Sequence, residues 1–178
     1  MKRLSLVALL LAILPGGTVL AQDPTGASNA ATGSVAPLYA AVKEYLIAAA
    51  EQMPEQNYSY RPTEEVRSFG EIVGHVADVM YFFCGTIMGT PTQGPETYEA
   101  LTDKAGLVAG LKTSFQNCDA AYGIDDDTAM QDVEFFGQTG TKLWGLTINL
   151  THDWEHYGNL VTYMRENGMV PPSSQGGM

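Results

Sequence analysis

A chain of 178 residues, 45% hydrophobic and 16% charged, is long enough to form one domain with a substantial core. Its formal net charge of −11, with no basic cluster anywhere, excludes a nucleic-acid binder and a protein drawn to anionic membrane surfaces. Polyanions are held by concentrated Lys and Arg, which this chain lacks.

The first 21 residues read as an export signal. Lys2 and Arg3 form a basic start, and Leu4 to Leu14 is an apolar run too short to span a bilayer. The run breaks at Pro15-Gly16-Gly17, and Val19-Leu20-Ala21 supplies a cleavage pattern. Residues 1–21 are therefore expected to be a signal peptide, with Gln22 the first mature residue. Removing its two positive charges takes the net charge from −11 to −13. The expected location is periplasmic or secreted, with no membrane attachment after cleavage. Residues 22–33 are small and polar and are expected to be a disordered lead-in.

Four helical segments are predicted over residues 34–174, followed by a short tail, 175–178. The first runs from Ser34 to Met53, capped by Ser34 and stopped by Pro54, with Leu38, Val42, Tyr45, Leu46 and Ala49 as its apolar stripe. The second opens at Ser68, where Ser68-x-x-Glu71 makes a capping box, and closes at Met88-Gly89. Its stripe of Ile72, Val76, Val79, Phe83 and Ile87 also contains His75. The third covers Tyr98 to Tyr122. Residues 125–141 are acidic at first, then contain Phe135-Phe136-Gly137, and are read as a loop. The fourth helix runs from Lys142 to Asn167 and ends at Gly168, with Leu146, His152, His156, Leu160 and Met164 facing inward. Four amphipathic helices and no convincing alternation predict an all-α four-helix bundle.

The chain has only three histidines. His152 and His156 are four residues apart, which on a helix puts both on one face about 6 Å apart along the axis. His75 lies on the apolar face of another helix. Three imidazoles with an open coordination position are a recurrent catalytic metal arrangement. Spacing alone leaves the alternative open, that of histidines bonded to backbone or carboxylate.

The segment from His152 to Pro172 (HDWEHYGNLVTYMRENGMVPP) resembles the C-terminal signature of the DinB-like superfamily, an H-x-x-x-H helix followed by Y-x-R-x-x-G-x-x-P-P. Tyr60-Arg61-Pro62-Thr63 and the run from Arg67 to Asp78 are similar to that family's other landmark. The resemblance extends from Val35 to Ser174. It implies an up-down-down-up bundle with a divalent metal, zinc or nickel, held by His75, His152 and His156. Many members have Gln where this chain has Asn159, which weakens any role for that residue near the metal. The up-down-down-up order would make the second and third helices parallel, bringing Cys84 and Cys118 toward one end. Either a disulfide or two buried thiols fits that placement.

Carboxylates flank the ligands. Asp78, one turn after His75, is a candidate for the metal's open side or for orienting a ligand, and Glu155 is a candidate general base. Asp153 is expected to be a solvent-exposed salt partner. The resemblance implies a metal-dependent S-transferase or hydrolase acting on a small-molecule substrate through a metal-bound thiol or water. The alternative is a non-catalytic metal-binding or stress-associated bundle, or an interaction module, and the aromatic-rich helix faces suggest a homodimer.

Overall fold

A computed structural model describes residues 29–176. The expected signal peptide and most of the lead-in lie outside the described residues. The elements are α1 (Thr32–Gln52), α2 (Phe69–Met88), α3 (Lys104–Cys118), the single turn α4 (Asp126–Ala129), β1 (Asp132–Phe135), β2 (Gln138–Thr141) and α5 (Lys142–Glu166).

The long helices start where local chemistry can satisfy their first N–H groups. Ser68 and Glu71 form the expected capping box of α2, and Gly89, at φ 67°, closes the helix in the left-handed conformation. Thr141 caps α5 by accepting from the Trp144 N–H, and Gly168, at φ 72°, follows its end. At α1 the expectation of a Ser34 cap is corrected. The helix begins at Thr32, and its cap comes from Asp126 on α4, whose carboxylate accepts from the Ala31 and Thr32 N–H groups, each at 3.0 Å. The lead-in expected to run to residue 33 therefore ends inside a helix.

The third helix is shorter than predicted. Asp103 caps it through the Gly106 N–H, so α3 proper starts at Lys104. Tyr98–Ala100 forms a separate 3-10 turn, which Asp78 of α2 holds by accepting from the Tyr98 and Glu99 N–H groups at 2.9 and 3.0 Å. The segment read as a loop also differs, because it contains α4 and an antiparallel hairpin with Phe135 paired to Gln138.

The bundle is up-down-down-up. Parallel α2 and α3 are joined at one end by the Cys84–Cys118 disulfide, with Cα atoms 5.2 Å apart. At the other end Gly70 lies against Leu107. The Tyr163 hydroxyl donates to the Arg67 carbonyl, so the end of α5 meets the start of α2. Lys43 pairs with Asp119, setting α1 antiparallel to α3. Leu46, Phe69, Met80, Leu107, Leu111, Phe115, Leu146, Leu160 and Met164 form the fully buried centre. In α1 the predicted stripe is one residue off at its start: Tyr39 is buried and Leu38 is 51% exposed.

Candidate metal centre

Residues from two antiparallel helices meet at the candidate site. His75 lies two turns into α2, whose start is fixed by the capping box, and His152 and His156 lie on the facing side of α5. The structure brings all three together. His152 Nε2 is 3.2 Å from His75 Nε2 and 3.0 Å from His156 Nε2. Nitrogens bound to a single ion at about 2.0–2.1 Å lie roughly 2.9–3.4 Å from one another, depending on coordination number. The spacing fits a three-imidazole site, and these histidines could hold a metal ion.

The opposite nitrogen of each ring faces a side chain of its own, a carboxylate at His75 and His152 and the Nδ2 amide of Asn159 at His156. His75 Nδ1 is 3.1 Å from Glu99 Oε2, and Glu99 is itself fixed by Arg67 Nε at 2.7 Å. His156 Nδ1 lies 3.5 Å from the side-chain amide of Asn159. His152 Nδ1 is 3.7 Å from Asp153 Oδ1, and neither atom has a hydrogen-bond partner. An Nδ1–H directed outward leaves Nε2 free as a metal donor, which is how ligating histidines are usually oriented.

Two carboxylates behave differently from the sequence reading. Asp153, expected in solvent, is completely buried and receives one hydrogen bond, from Asn149 Nδ2 at 3.2 Å. It lies inward because α5 is covered on two sides, by α1 and by α2, so the face one position past His152 also meets protein. Asp78 does not reach the open side of the cluster. Its carboxylate is occupied by the Tyr98 and Glu99 N–H groups, so it acts on the histidines only by placing Glu99. Gly74 allows this close approach, since a Cβ there would come within 2.6 Å of the Glu99 Cα. Glu155 is exposed beside the cluster, with no hydrogen bond to its carboxylate among the described residues.

Burial sets the protonation states. His75 is held below the usual imidazole range, mainly by desolvation, and His156 is lowered to about 3 by burial and by the two neighbouring rings. Both are thus neutral, as metal ligands must be. Burial pushes the Asp153 carboxyl up to about 6, against the opposing pull of His152. Two clefts open from the cluster. One, beside His156, is lined by Arg61, Glu64, Glu65, Arg67, Glu71 and Glu155. The other, beside His75 and His152, is walled largely by apolar side chains.

The bundle order and the histidine cluster define a helical protein whose three grouped imidazoles could hold a metal ion. The family profile of the DinB superfamily matches residues 38–160, and the chain belongs to that superfamily. It is 28% identical over 126 residues to the uncharacterized protein YjoA of Bacillus subtilis, covering 67% of this chain and 79% of that protein. The solved structure of YjoA superposes with a TM-score of 0.66 at 25% identity, over 82% of this chain and 99% of YjoA. YfiT of Bacillus subtilis, described as a probable metal-dependent hydrolase with an unusual four-helix bundle topology, gives a TM-score of 0.61 at 15% identity, covering 83% and 94%. A mycothiol-dependent maleylpyruvate isomerase gives 0.61 at 16% identity, covering 72% of this chain and 60% of that one. At such identities the last two similarities concern the fold.

The structure brings together the three histidines that the sequence singled out. The sequence reading missed Glu99 and the inward role of Asp153. Glu99 carried no local signal, being 24 residues from His75 and read as part of the first turn of the third helix.

Proposed function

We propose that the chain is a divalent-metal-dependent hydrolase whose ion is held by Nε2 of His75, His152 and His156. The observation that carries this reading is the two-sided use of the imidazoles: the Nε2 atoms converge while each Nδ1 faces a separate outer group. Packing in a core requires neither. Zinc and nickel suit three neutral imidazoles with a position left open. Such an ion would polarise a substrate carbonyl and bring the pKa of a coordinated water toward neutrality.

The surrounding residues orient and move protons. Glu99 fixes the His75 ring, while Asp153 stands beside His152 Nδ1 and the Asn159 amide beside His156 Nδ1. Glu155 borders both clefts, and its unengaged carboxylate is the group we assign to accept and return the proton at Oε. Water is favoured over a low-molecular-weight thiol as the nucleophile. Arg61 and Arg67, the only Lys or Arg among the described residues of the polar cleft, are already paired with Glu71 and Glu99, leaving no unpaired Lys or Arg there to seat an anionic thiol cofactor. The proposal includes an exported location, supported by the N-terminal pattern and the Cys84–Cys118 bridge, since disulfides persist in oxidising compartments.

A second reading, a metal that only ties α2 to α5, is favoured by the placement of the ligands on two different helices. Two variants separate the readings. Elemental analysis of the purified protein is expected to find one zinc or nickel per chain, lost in His156→Ala. Glu155→Gln is expected to keep the metal and lose ester hydrolysis, measured with p-nitrophenyl acetate, by about 10²-fold or more. Metal retained with Glu155→Gln turnover unchanged, or with none in the parent, leaves the structural reading. No stoichiometric metal in the parent sinks both.

A further inference from the structure

The cleft beside His75 and His152 has a volume of about 650 Å³ and is walled by Val79, Phe82, Phe83, Phe136 and Ile148. Asp78, Glu99 and Glu155 border it, and among the described residues no Lys or Arg does. Phe136 is its most unusual member. It stands at the tip of the β1–β2 hairpin, where Phe136 at φ 54° and Gly137 at φ 75° make a two-residue turn with both central residues left-handed. Asn or Gly is the ordinary occupant of the first position, and a bulky aromatic there is an outlier. Burial does not explain it, because Phe136 is 72% exposed. Its ring lies 5.6 Å from that of Phe82 and 6.1 Å from that of Phe83, overhanging the cleft that leads to the histidines. An exposed aromatic held in an unfavourable backbone conformation points to a role outside folding.

We infer that Phe136 is a specificity-determining residue, closing an aromatic wall with Phe82 and Phe83 that takes an uncharged substrate bearing an aromatic or similarly bulky apolar arm. The inference rests on the proposed metal centre, which would hold the reacting end of the same molecule. Ring-on-ring contact with Phe82, Phe83 and Phe136 recognises the arm. The three bordering carboxylates disfavour an arm that is itself anionic.

The test uses the zinc-loaded full chain and three hydroxamates with the same metal-binding head: acetohydroxamate, phenylacetohydroxamate and succinyl monohydroxamate, titrated by calorimetry. The phenyl arm is expected to bind at least tenfold more tightly than the methyl arm, and the carboxylate arm at least threefold more weakly than the methyl. Phe136→Asn places the favoured Asn-Gly pair at the turn. It is expected to leave the melting temperature equal or higher while reducing the phenyl-to-methyl preference to threefold or less. A wild-type preference below threefold, or one that Phe136→Asn leaves intact, overturns the inference while the metal centre stands. A change of oligomeric state in Phe136→Asn with the preference intact assigns the ring to contact between copies, and also overturns it. If no hydroxamate binds and no zinc is retained, the metal-centre reading fails. Saturation-transfer NMR with phenylacetamide then decides the pocket: a signal weakened by Phe136→Asn supports it, and an equal signal overturns it.

Discussion

Replacing Asp153 with Asn is expected to move two measurable quantities in opposite directions. In the metal-free protein, Asp153 is a fully buried carboxylate with one hydrogen bond and its Oδ1 unpaired. Its pKa, raised to about 6 from the ordinary 3.8, corresponds to roughly 3 kcal/mol of instability at neutral pH. The sign follows from the direction of the shift. The folded form holds its proton more tightly than the unfolded one, so the penalty is absent below about pH 4, grows through about pH 6 and is full above that. Asn has the same shape without the charge, so metal-free Asp153→Asn is expected to gain about 1–3 kcal/mol at pH 7.5 and almost nothing at pH 4. Metal affinity is expected to fall. The 3.7 Å separation of Asp153 Oδ1 from His152 Nδ1 exceeds a normal hydrogen bond by about 0.8 Å, a gap that a small rotation of the ring would close. Loss of such an outer partner costs about 10–100-fold in affinity. Urea denaturation of chelator-treated protein at the two pH values measures the first effect, and competition with a zinc indicator the second. Affinity within twofold of the parent, or a variant less stable without metal, refutes the role assigned to Asp153.

Gly74→Ala should press a methyl against the Tyr98 carbonyl oxygen and the Glu99 Cα, 2.5 and 2.6 Å from the Cβ position, and push the Glu99 turn off α2. The expected loss is about 1–3 kcal/mol in denaturant unfolding, with a weaker metal site because His75 loses Glu99. Reducing the Cys84–Cys118 bridge opens a 34-residue loop and should cost about 3–4 kcal/mol by chain entropy, read as the shift of the urea midpoint with and without reductant. A midpoint unmoved by reduction shows that the bridge contributes nothing to stability.

What was legible in the sequence was whatever depends on near neighbours. The capping box Ser68-x-x-Glu71, the stop at Gly89 and the H-x-x-x-H spacing all operate within one or two helical turns, and α2 and α5 appear within a residue or two of the expected limits. What failed depends on partners distant in the chain. The cap of α1 is Asp126, 94 residues from Thr32, so no local pattern announces it. Tyr98–Ala100 leaves the third helix because Asp78, twenty residues earlier, claims its N–H groups. The hairpin did carry a weak signal, the alternation Asp132-Val133-Glu134-Phe135, which the structure shows as exposed and buried in turn. Phe136-Gly137 concealed the turn, because the usual Asn-Gly mark is absent.

Two features break ordinary rules of construction, and both border the histidines. Asp153 puts an under-bonded charge in the core directly beside His152. Phe136 puts a bulky ring in a left-handed turn over the cleft that His75 and His152 line. Each is expected to be relieved by a single substitution to Asn, the outcome that would show that folding does not demand it. Local inconsistency in an otherwise consistent bundle is expected where a site imposes its own requirements. A metal serving only as a staple between α2 and α5 would account for Asp153, which steadies a ligand. It would not account for Phe136, whose exposed ring lies against Phe82 and Phe83 at the cleft that His75 and His152 line. The exposed ring is thus the observation that weighs against a purely structural metal and toward a site built to receive a substrate.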